Sequence, residues 1–574
     1  MRVAAIRTPV LVLVGFLILA ALLLGPVWAS PTSRTPGGGV GDLADFMWFL
    51  RWTPFAVGRH QSPFFTDHLN HPYGVNLMWN TWVPLPGLLL TPITLTWGSV
   101  LTVNVLLVLA FGLSSWSGYL AIHRYVPSHG AALVGGLIYG FSPAMQAHCR
   151  HLNLILVFLL PLLLVLVDEI LVRQRRSPIR LGAALGGVAG AQVLVGEELL
   201  VATALIAGTL LLVLATLHPR AVVGRVRYAM TAFAVAAVIF AAIAAWPFKA
   251  QLTGPGRVRT DITSEVRGSS DLLATITPSQ HVAIDPAAAR RLSDRFIGSG
   301  ETYLGVPLLL AILAVAVKRR RHPVVRVALA MFLASLVLSF GSQLRVAGRA
   351  TGVPLPWAAM ERLPLVQHMV PARLALLTAL FAGLLLAVAL QALWQGGGWR
   401  RLLAAATAVL VVAVIAPPGP LRSSRVNVPA FFTTSAVQTL PRDGVALVVP
   451  FPRKGIRNEA MLWQAEAGMR FKMPGGYFTW TDPVGTTRRD ATPTATSVTL
   501  ARIQRGRRSP ALTAGLRRAI ANDFAVWRVD CVILGPMDHR AAMAAFLTEL
   551  IGRPPETVQD VALWRAVNLQ RPTG

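Results

Sequence analysis

Long apolar runs alternate along the chain with short basic loops. Crossing the hydrocarbon of a bilayer as a helix takes roughly 17–25 residues. Runs of that kind fall at about 9–29, 101–122, 131–147, 152–172, 181–217, 228–247, 302–317, 324–340, 371–393 and 401–416. The 181–217 run is too long for one crossing, because at 1.5 Å per residue it would measure roughly 55 Å against a core of about 30 Å. Its one interruption, Gly196-Glu197-Glu198, predicts two short helices with the acidic pair at the turn. The pattern therefore predicts eleven membrane helices. The stretch 83–98 is short and broken by Pro84, Pro86 and Pro92, which predicts an interfacial or re-entrant segment rather than a crossing.

Composition agrees with this pattern. The 574 residues are 54% hydrophobic and 14% charged, against about 25% charged in soluble domains, and mean hydropathy is +0.57. The chain reads as a multi-pass plasma-membrane protein. The first run follows Arg2 and Arg7 and is longer than the core of a usual signal peptide, so an uncleaved first helix is favoured over cleavage near Ala29. The net charge of +28 does not point to nucleic acid, because the positive residues fall in short loops and in the tail. Counted as topology signals, they put the N-terminus in the cytoplasm together with Arg173/Arg175/Arg176, Arg220/Arg225/Arg227, Lys318/Arg319/Arg320/Arg321 and Arg400/Arg401. Cys149 and Cys531 are the only cysteines, so no disulfide framework is implied.

This topology collects four pieces on the outer face: 30–100, 248–301, 341–370 and the tail. The tail is less apolar, with strand-like runs "GVALVVPFP" and "VDCVILGP" and a turn cluster "KMPGGYF". The expected fold class is an all-α polytopic membrane bundle over 1–416, with a C-terminal extracytoplasmic mixed α/β domain over 417–574. There is no internal repeat and no glycine-rich phosphate loop, so ATP hydrolysis is not expected.

Several candidate residues gather on that outer face. Asp42 and Asp45 follow the first helix within "GDLADFMWFLRWTPFAVG". Asp42 suits a catalytic base or metal ligand, and equally an N-cap for a helix starting near Leu43. Asp45, one turn on, is its partner or a bystander. Glu197 and Glu198 sit between apolar residues, where an acid costs about 2.5–3.5 kcal/mol on insertion scales, so they either face a cavity or tie the helix hairpin together. His148, His151 and Asn153 share a short loop, and the His-x-x-His spacing alone is weak evidence for zinc. Glu301 is expected to open the helix 302–317, as a site residue or as a dipole-complementing acid. His368 and Arg373 lie at the outer end of the helix 371–393, where Arg373 suits phosphate or simply snorkels. The aromatics Trp48, Phe49, Trp52 and Phe55 suit a membrane interface or a lipid-facing groove.

The stretches "GDLADFMWFLRWTPFAVG", "PFFTDHLNHPYGVNLMWNT", "GGLIYGFSPAMQAHCRHLNL", "QVLVGEELL", "ETYLGVPLLL" and "MLWQAEAGMRFKMPGGYF" resemble a group of large actinobacterial membrane proteins. That group in turn resembles the GT-C class of membrane glycosyltransferases. The resemblance implies transfer of a sugar from a polyprenyl-phosphate donor to an envelope glycan, lipid or protein acceptor on the outer face, with membrane lipid as a further partner. In that class an acid of the first outer loop is the base or metal ligand, a position that Asp42 matches and Asp45 could share. A divalent Mg or Mn ion is the one cofactor the resemblance suggests. Two rival readings remain beside the enzyme: a transporter or flippase of a lipid-linked precursor, and a non-catalytic scaffold for envelope assembly. Transporters place charges near the midplane on broken helices, whereas most acids here map to helix ends.

Overall fold

The computed structural model describes residues 2–217, 219–258, 268–296, 300–363, 366–453 and 458–569. The protein is mostly helical, with several small β-sheets. It divides into two compact units, and each draws on separated parts of the chain.

The first unit comprises Met1–Pro26, Val105–Ala245 and Ile262–Arg422. Helices stand at each predicted apolar run, with bounds set by local chemistry. Among the described residues five helices are long and apolar enough to cross a membrane: Thr91–His123, Leu152–Arg173, Glu197–Thr216, Val223–Thr253 and Pro371–Gln395. Arg7–Leu23, Val306–Lys318 and Pro323–Ser339 are apolar but shorter. The long 181–217 run is indeed two helices, Pro178–Val193 and Glu197–Leu217. Of the five long apolar helices, the one ending at Gln395 is the most buried. It meets His129–Gly140 through glycine: a Cβ on Gly135 would lie 2.7 Å from the Gly383 carbonyl oxygen, and one on Gly383 would lie 2.5 Å from that of Gly135. Between helices in lipid, where apolar burial drives little, such small-residue contacts supply the packing. Gly182, Gly186 and Gly190 form the same kind of stripe, against Ala232, Ala236 and Ile243.

The second unit comprises Val27–Asn104, Trp246–Asp261 and Ser423–Gly574. The tail and the segment after the first helix are thus parts of one body. Arg34–Pro36 pairs antiparallel with Ser423–Arg425. The two strand-like runs of the tail become Ala446–Val449 and Cys531–Leu534, parallel and fully buried. Val561–Trp564 and then Glu556–Val558 extend the sheet antiparallel. Uniform burial explains why these strands read as continuous apolar runs without alternation. Helices Ala495–Gln504, Ala514–Trp527 and Arg540–Ile551 supply Leu500, Ile503, Ile520, Phe524, Met543 and Leu547 to a core shared with Leu447, Val449 and Trp564.

In the same unit the stretch 83–98 is a short helix, Pro84–Leu89, followed by the start of Thr91–His123, which breaks at Gly98 with φ 87°. The Glu466 carboxylate accepts hydrogen bonds from Ser99 N at 3.1 Å and Ser99 Oγ at 2.5 Å, satisfying donors that a helix start leaves open.

The expected lipid-facing role of the aromatics does not hold. Trp48, Phe49 and Trp52 are buried inside the second unit and Phe55 is partly buried. Trp48 and Trp52 stack at 5.4 Å. Trp48 Nε1 donates to Gln464 Oε1 and Trp52 Nε1 to the Pro63 carbonyl. Their polar edges are satisfied within protein, which is what burial of indole requires.

Candidate active site

Helix Leu43–Gly58 begins directly after Asp42, as its N-cap position predicts, but the Asp42 side chain makes no capping bond. Asp42 is partly buried, and Asp45 in the first turn is 4% exposed. Asn458, at the N-cap of helix Glu459–Glu466, donates from Nδ2 to Asp45 Oδ1 at 3.3 Å. No described Arg, Lys or His neutralises Asp45. Burial, followed by the charge of Asp42, pushes its carboxyl well above the usual range, and the Asn458 bond opposes this. Asp42 and Asp45 also act on Tyr477, whose phenol is pushed up first by burial and then by these acids and Asp490, with Arg489 opposing. Asp490 is itself paired to Arg453 at 3.2 Å.

A second charged group lies toward the other end of this helix. Arg59 holds Asp443 through a two-pronged contact of 2.9 and 3.1 Å. His68, buried against Trp52 and Phe55, sits 3.4 Å from Asp67 and 3.6 Å from Asp443. Asp67 is also paired to Lys472. These contacts tie the segment 59–72 to the tail, within the same unit.

The remaining candidates belong to the first unit. Glu198 Oε1 accepts from Val370 N at 2.9 Å, and its Oε2 is paired with Arg373 Nη1. Glu197 is partly buried in the same helical turn. Gly196 packs on the backbone of Asn153, where a Cβ would approach the carbonyl oxygen to 2.7 Å. His148 closes the helix Pro143–Ala147 and His151 precedes Leu152–Ile155. Their rings meet edge to face at 5.9 Å, and His148 Nε2 lies 3.1 Å from Glu301 Oε2.

Glu301 does not open a helix. The helix begins at Val306, because Gly305 with φ 77° breaks the chain just before it. Glu301 instead lines two adjoining pockets. One is a small cavity of about 10 Å³, room for a water, among Ile138, Ser142, Leu304, Leu308, Thr378 and Ile415. The other lies among Ser270, Asp271, Gly300, Thr302 and Ala372. His368 is in a short turn, Val366–His368, but its side chain lies outside the described residues. The structure therefore groups Asp42 with Asp45 in one unit. In the other it gathers Glu198, Arg373, His148, His151, Asn153 and Glu301 on neighbouring segments.

Residues 12–367 match a family described as "Domain of unknown function (DUF6311)". The chain belongs to the DUF6311 family. No curated protein matches it in sequence. Among solved structures it is similar to the arabinofuranosyltransferase AftD from Mycobacteria, at 15% identity and TM-score 0.51, over 98% of this chain and 40% of that one. It is also similar to the Archaeoglobus fulgidus oligosaccharyltransferase, solved in complex with Zn and sulfate, at 13% identity and TM-score 0.51, over 91% of this chain and 68% of that one. This DUF6311 protein thus spans about two fifths of the length of AftD. At such identities the likeness establishes a fold, which is GT-C-like.

The family match ends before Arg373, Asn458 and Tyr477. The last two escaped sequence reasoning altogether. Asn458 and Asp45 are 413 positions apart, and no local pattern marks an asparagine before a short helix as the partner of a distant acid. Among the described residues no three His, Cys, Asp or Glu side chains are grouped to hold a metal ion. Beside Asp45, the amide oxygen of Asn458, Oδ1, is buried and has no hydrogen-bond partner among the described residues. Two carboxylates and an amide oxygen form a hard donor set that suits Mg or Mn better than a thiophilic metal.

Proposed function

We propose that this protein is a membrane glycosyltransferase that transfers a sugar from a polyprenyl-phosphate-linked donor to an envelope glycan, lipid or protein acceptor on the outer face of the plasma membrane. The observation that carries the reading is the start of helix Leu43–Gly58. There a carboxylate not used for capping, Asp42, stands beside a buried one, Asp45, in a chain of GT-C-like fold.

Asp42 is the general base. It takes the proton of the acceptor hydroxyl as that oxygen bonds to the anomeric carbon. The bond from that carbon to the phosphate oxygen breaks, and its electron pair leaves with the polyprenyl phosphate. Asp45, pushed toward its neutral form by burial, keeps a second negative charge away from Asp42. If a Mg or Mn ion were to bind, Asp42, Asp45 in its ionised form and Asn458 would be the residues to hold it, and it would supply neutralisation of charge on the leaving phosphate. In the other unit, Glu198 orients Arg373, a fork suited to phosphate oxygens. Glu301, 3.1 Å from His148 Nε2, is a polar group on the wall of the small apolar pocket.

The test is transfer of labelled sugar from the membrane lipid pool, comparing a deletion strain with strains restored by wild type or by Asp42→Asn. Restoration by wild type alone supports the reading. Equal restoration by a normally inserted Asp42→Asn protein overturns it.

A further inference from the structure

Outside the acid site, the second unit carries a dense group of arginines on the turn between helices Ala495–Gln504 and Ala514–Trp527. Arg502, Arg505, Arg507, Arg508 and, at the start of the second helix, Arg518 are all exposed. The turn is folded back on itself. Arg502 Nε donates to the Arg508 carbonyl at 3.1 Å, and Arg507 N donates to the Arg502 carbonyl at 3.1 Å. Gly506 makes the bend at φ 72°, with the His539 ring packed where a Cβ would stand. That contact brings His539, and exposed Arg540 after it, to the same bend.

Among the described residues none of these guanidinium groups has an ion-pair partner. The Arg and Lys ion pairs among the described residues of this unit use Arg59, Arg453, Lys472, Arg488 and Arg565. Asp523, on the second helix, accepts at Oδ2 from Thr496 N and Oγ1 at 2.8 and 2.7 Å. Asp538 is the one exposed acid beside His539. Five like charges on one folded turn, outnumbering the acids Asp523 and Asp538 near it, repel one another, and a bound polyanion would relieve that repulsion.

We infer that this arginine turn is a docking surface for an acidic polysaccharide. Arg presents a planar fork matched to carboxylate oxygens, and a chain polymer supplies many such groups at once. A lipid surface fits less well. Between 500 and 545 the only exposed large hydrophobic side chain is Val526, whereas segments that dock on bilayers add Trp, Phe or Leu to their basic face. The inference does not depend on the transfer reading, because binding is read without turnover.

The experiment uses the full chain in zwitterionic nanodiscs, with polygalacturonate as the acidic probe and dextran as the neutral one. Wild type should bind polygalacturonate and not dextran. Binding should weaken at least about tenfold between about 50 and about 500 mM NaCl, as screened charge contacts do. Arg505→Gln/Arg507→Gln/Arg508→Gln should lose about tenfold or more in affinity, because three exposed charges leave the turn. Arg319→Gln/Arg320→Gln/Arg321→Gln, which removes the same charge from the first unit, should bind like wild type. Equal loss in both triple variants would reduce the effect to net charge and overturn the inference. So would an unchanged affinity in the first variant, or binding of phosphatidylglycerol vesicles without binding of polygalacturonate.

Discussion

Asn458 donates a hydrogen bond to Asp45 across 413 positions of sequence. The first acid-bearing helix and the tail are therefore held together at the buried carboxyl itself. Asn458 stands at the N-cap of Glu459–Glu466. The same helix carries Gln464, bonded to Trp48, and Glu466, which closes the break at Gly98. One short helix thus sets three features around the candidate base.

Asp42→Asn should lower sugar transfer by roughly 10²–10⁴-fold, the range attributed to general acid–base groups. Protein level and insertion should hardly change, since Asn keeps the size and most of the hydrogen-bonding ability of the side chain. Activity and expression measured in the same membranes decide the matter, and near-wild-type turnover would remove Asp42 from the chemistry.

Asp45 gives stability a pH dependence whose sign follows from its raised carboxyl. The fold prefers the protonated form, so its contribution is fully present below the ordinary value of 3.8 and is lost as pH rises through the raised folded value. Asp45→Asn, which cannot ionise, should flatten the fall in thermal stability from acidic to neutral pH. Melting curves of the purified protein across pH would show it. A variant that falls as steeply as wild type would mean that another group titrates.

Glu198 and Arg373 should behave as one unit. Arg373→Gln leaves the Glu198 carboxylate held by the Val370 amide, and the pair is partly exposed, so the cost is about 1–2 kcal/mol, below that of a fully buried pair. In a double-mutant cycle, Glu198→Gln with Arg373→Gln should cost less than the two single changes added. Strict additivity would separate the two residues.

Gly186 and Gly187 make a direct comparison. A Cβ at Gly186 would collide with the Ala236 carbonyl oxygen, whereas nothing lies within 4 Å of one at Gly187. Gly186→Ala should destabilise the helix pair by about 1–3 kcal/mol, the usual cost of overpacking, and Gly187→Ala should be neutral. Thermal shift in detergent reads both, and equal effects would contradict the close approach.

Membrane topology can be read at two exposed positions. Val484 is 85% exposed on the tail, which the basic-loop pattern puts outside, and Arg320 lies in a loop it puts inside. An impermeant thiol reagent added to intact cells should label Val484→Cys and spare Arg320→Cys. The reverse labelling would invert the topology.

Much of the fold was legible in the chain because apolar run length and helix punctuation are local properties. The turn at Gly196-Glu197-Glu198, the helix beginning after Asp42, and the strands at Ala446–Val449 and Cys531–Leu534 each follow from a few neighbouring residues. Proximity between distant segments is not local, and there the sequence was silent or misleading. It marked the Trp48–Phe55 aromatics for lipid, but only tertiary packing decides whether a rich aromatic face meets bilayer or protein, and here Gln464 and Pro63 satisfy the indoles inside. It placed Glu301 at a helix start, but the positive φ of Gly305 moved that start, and the acid met His148 instead. Asp45 was legible as an acid one turn from Asp42. That it is buried, held by Asn458 and pushed toward its neutral form was decided by the tail folding onto it, because desolvation depends on every segment that covers a charge.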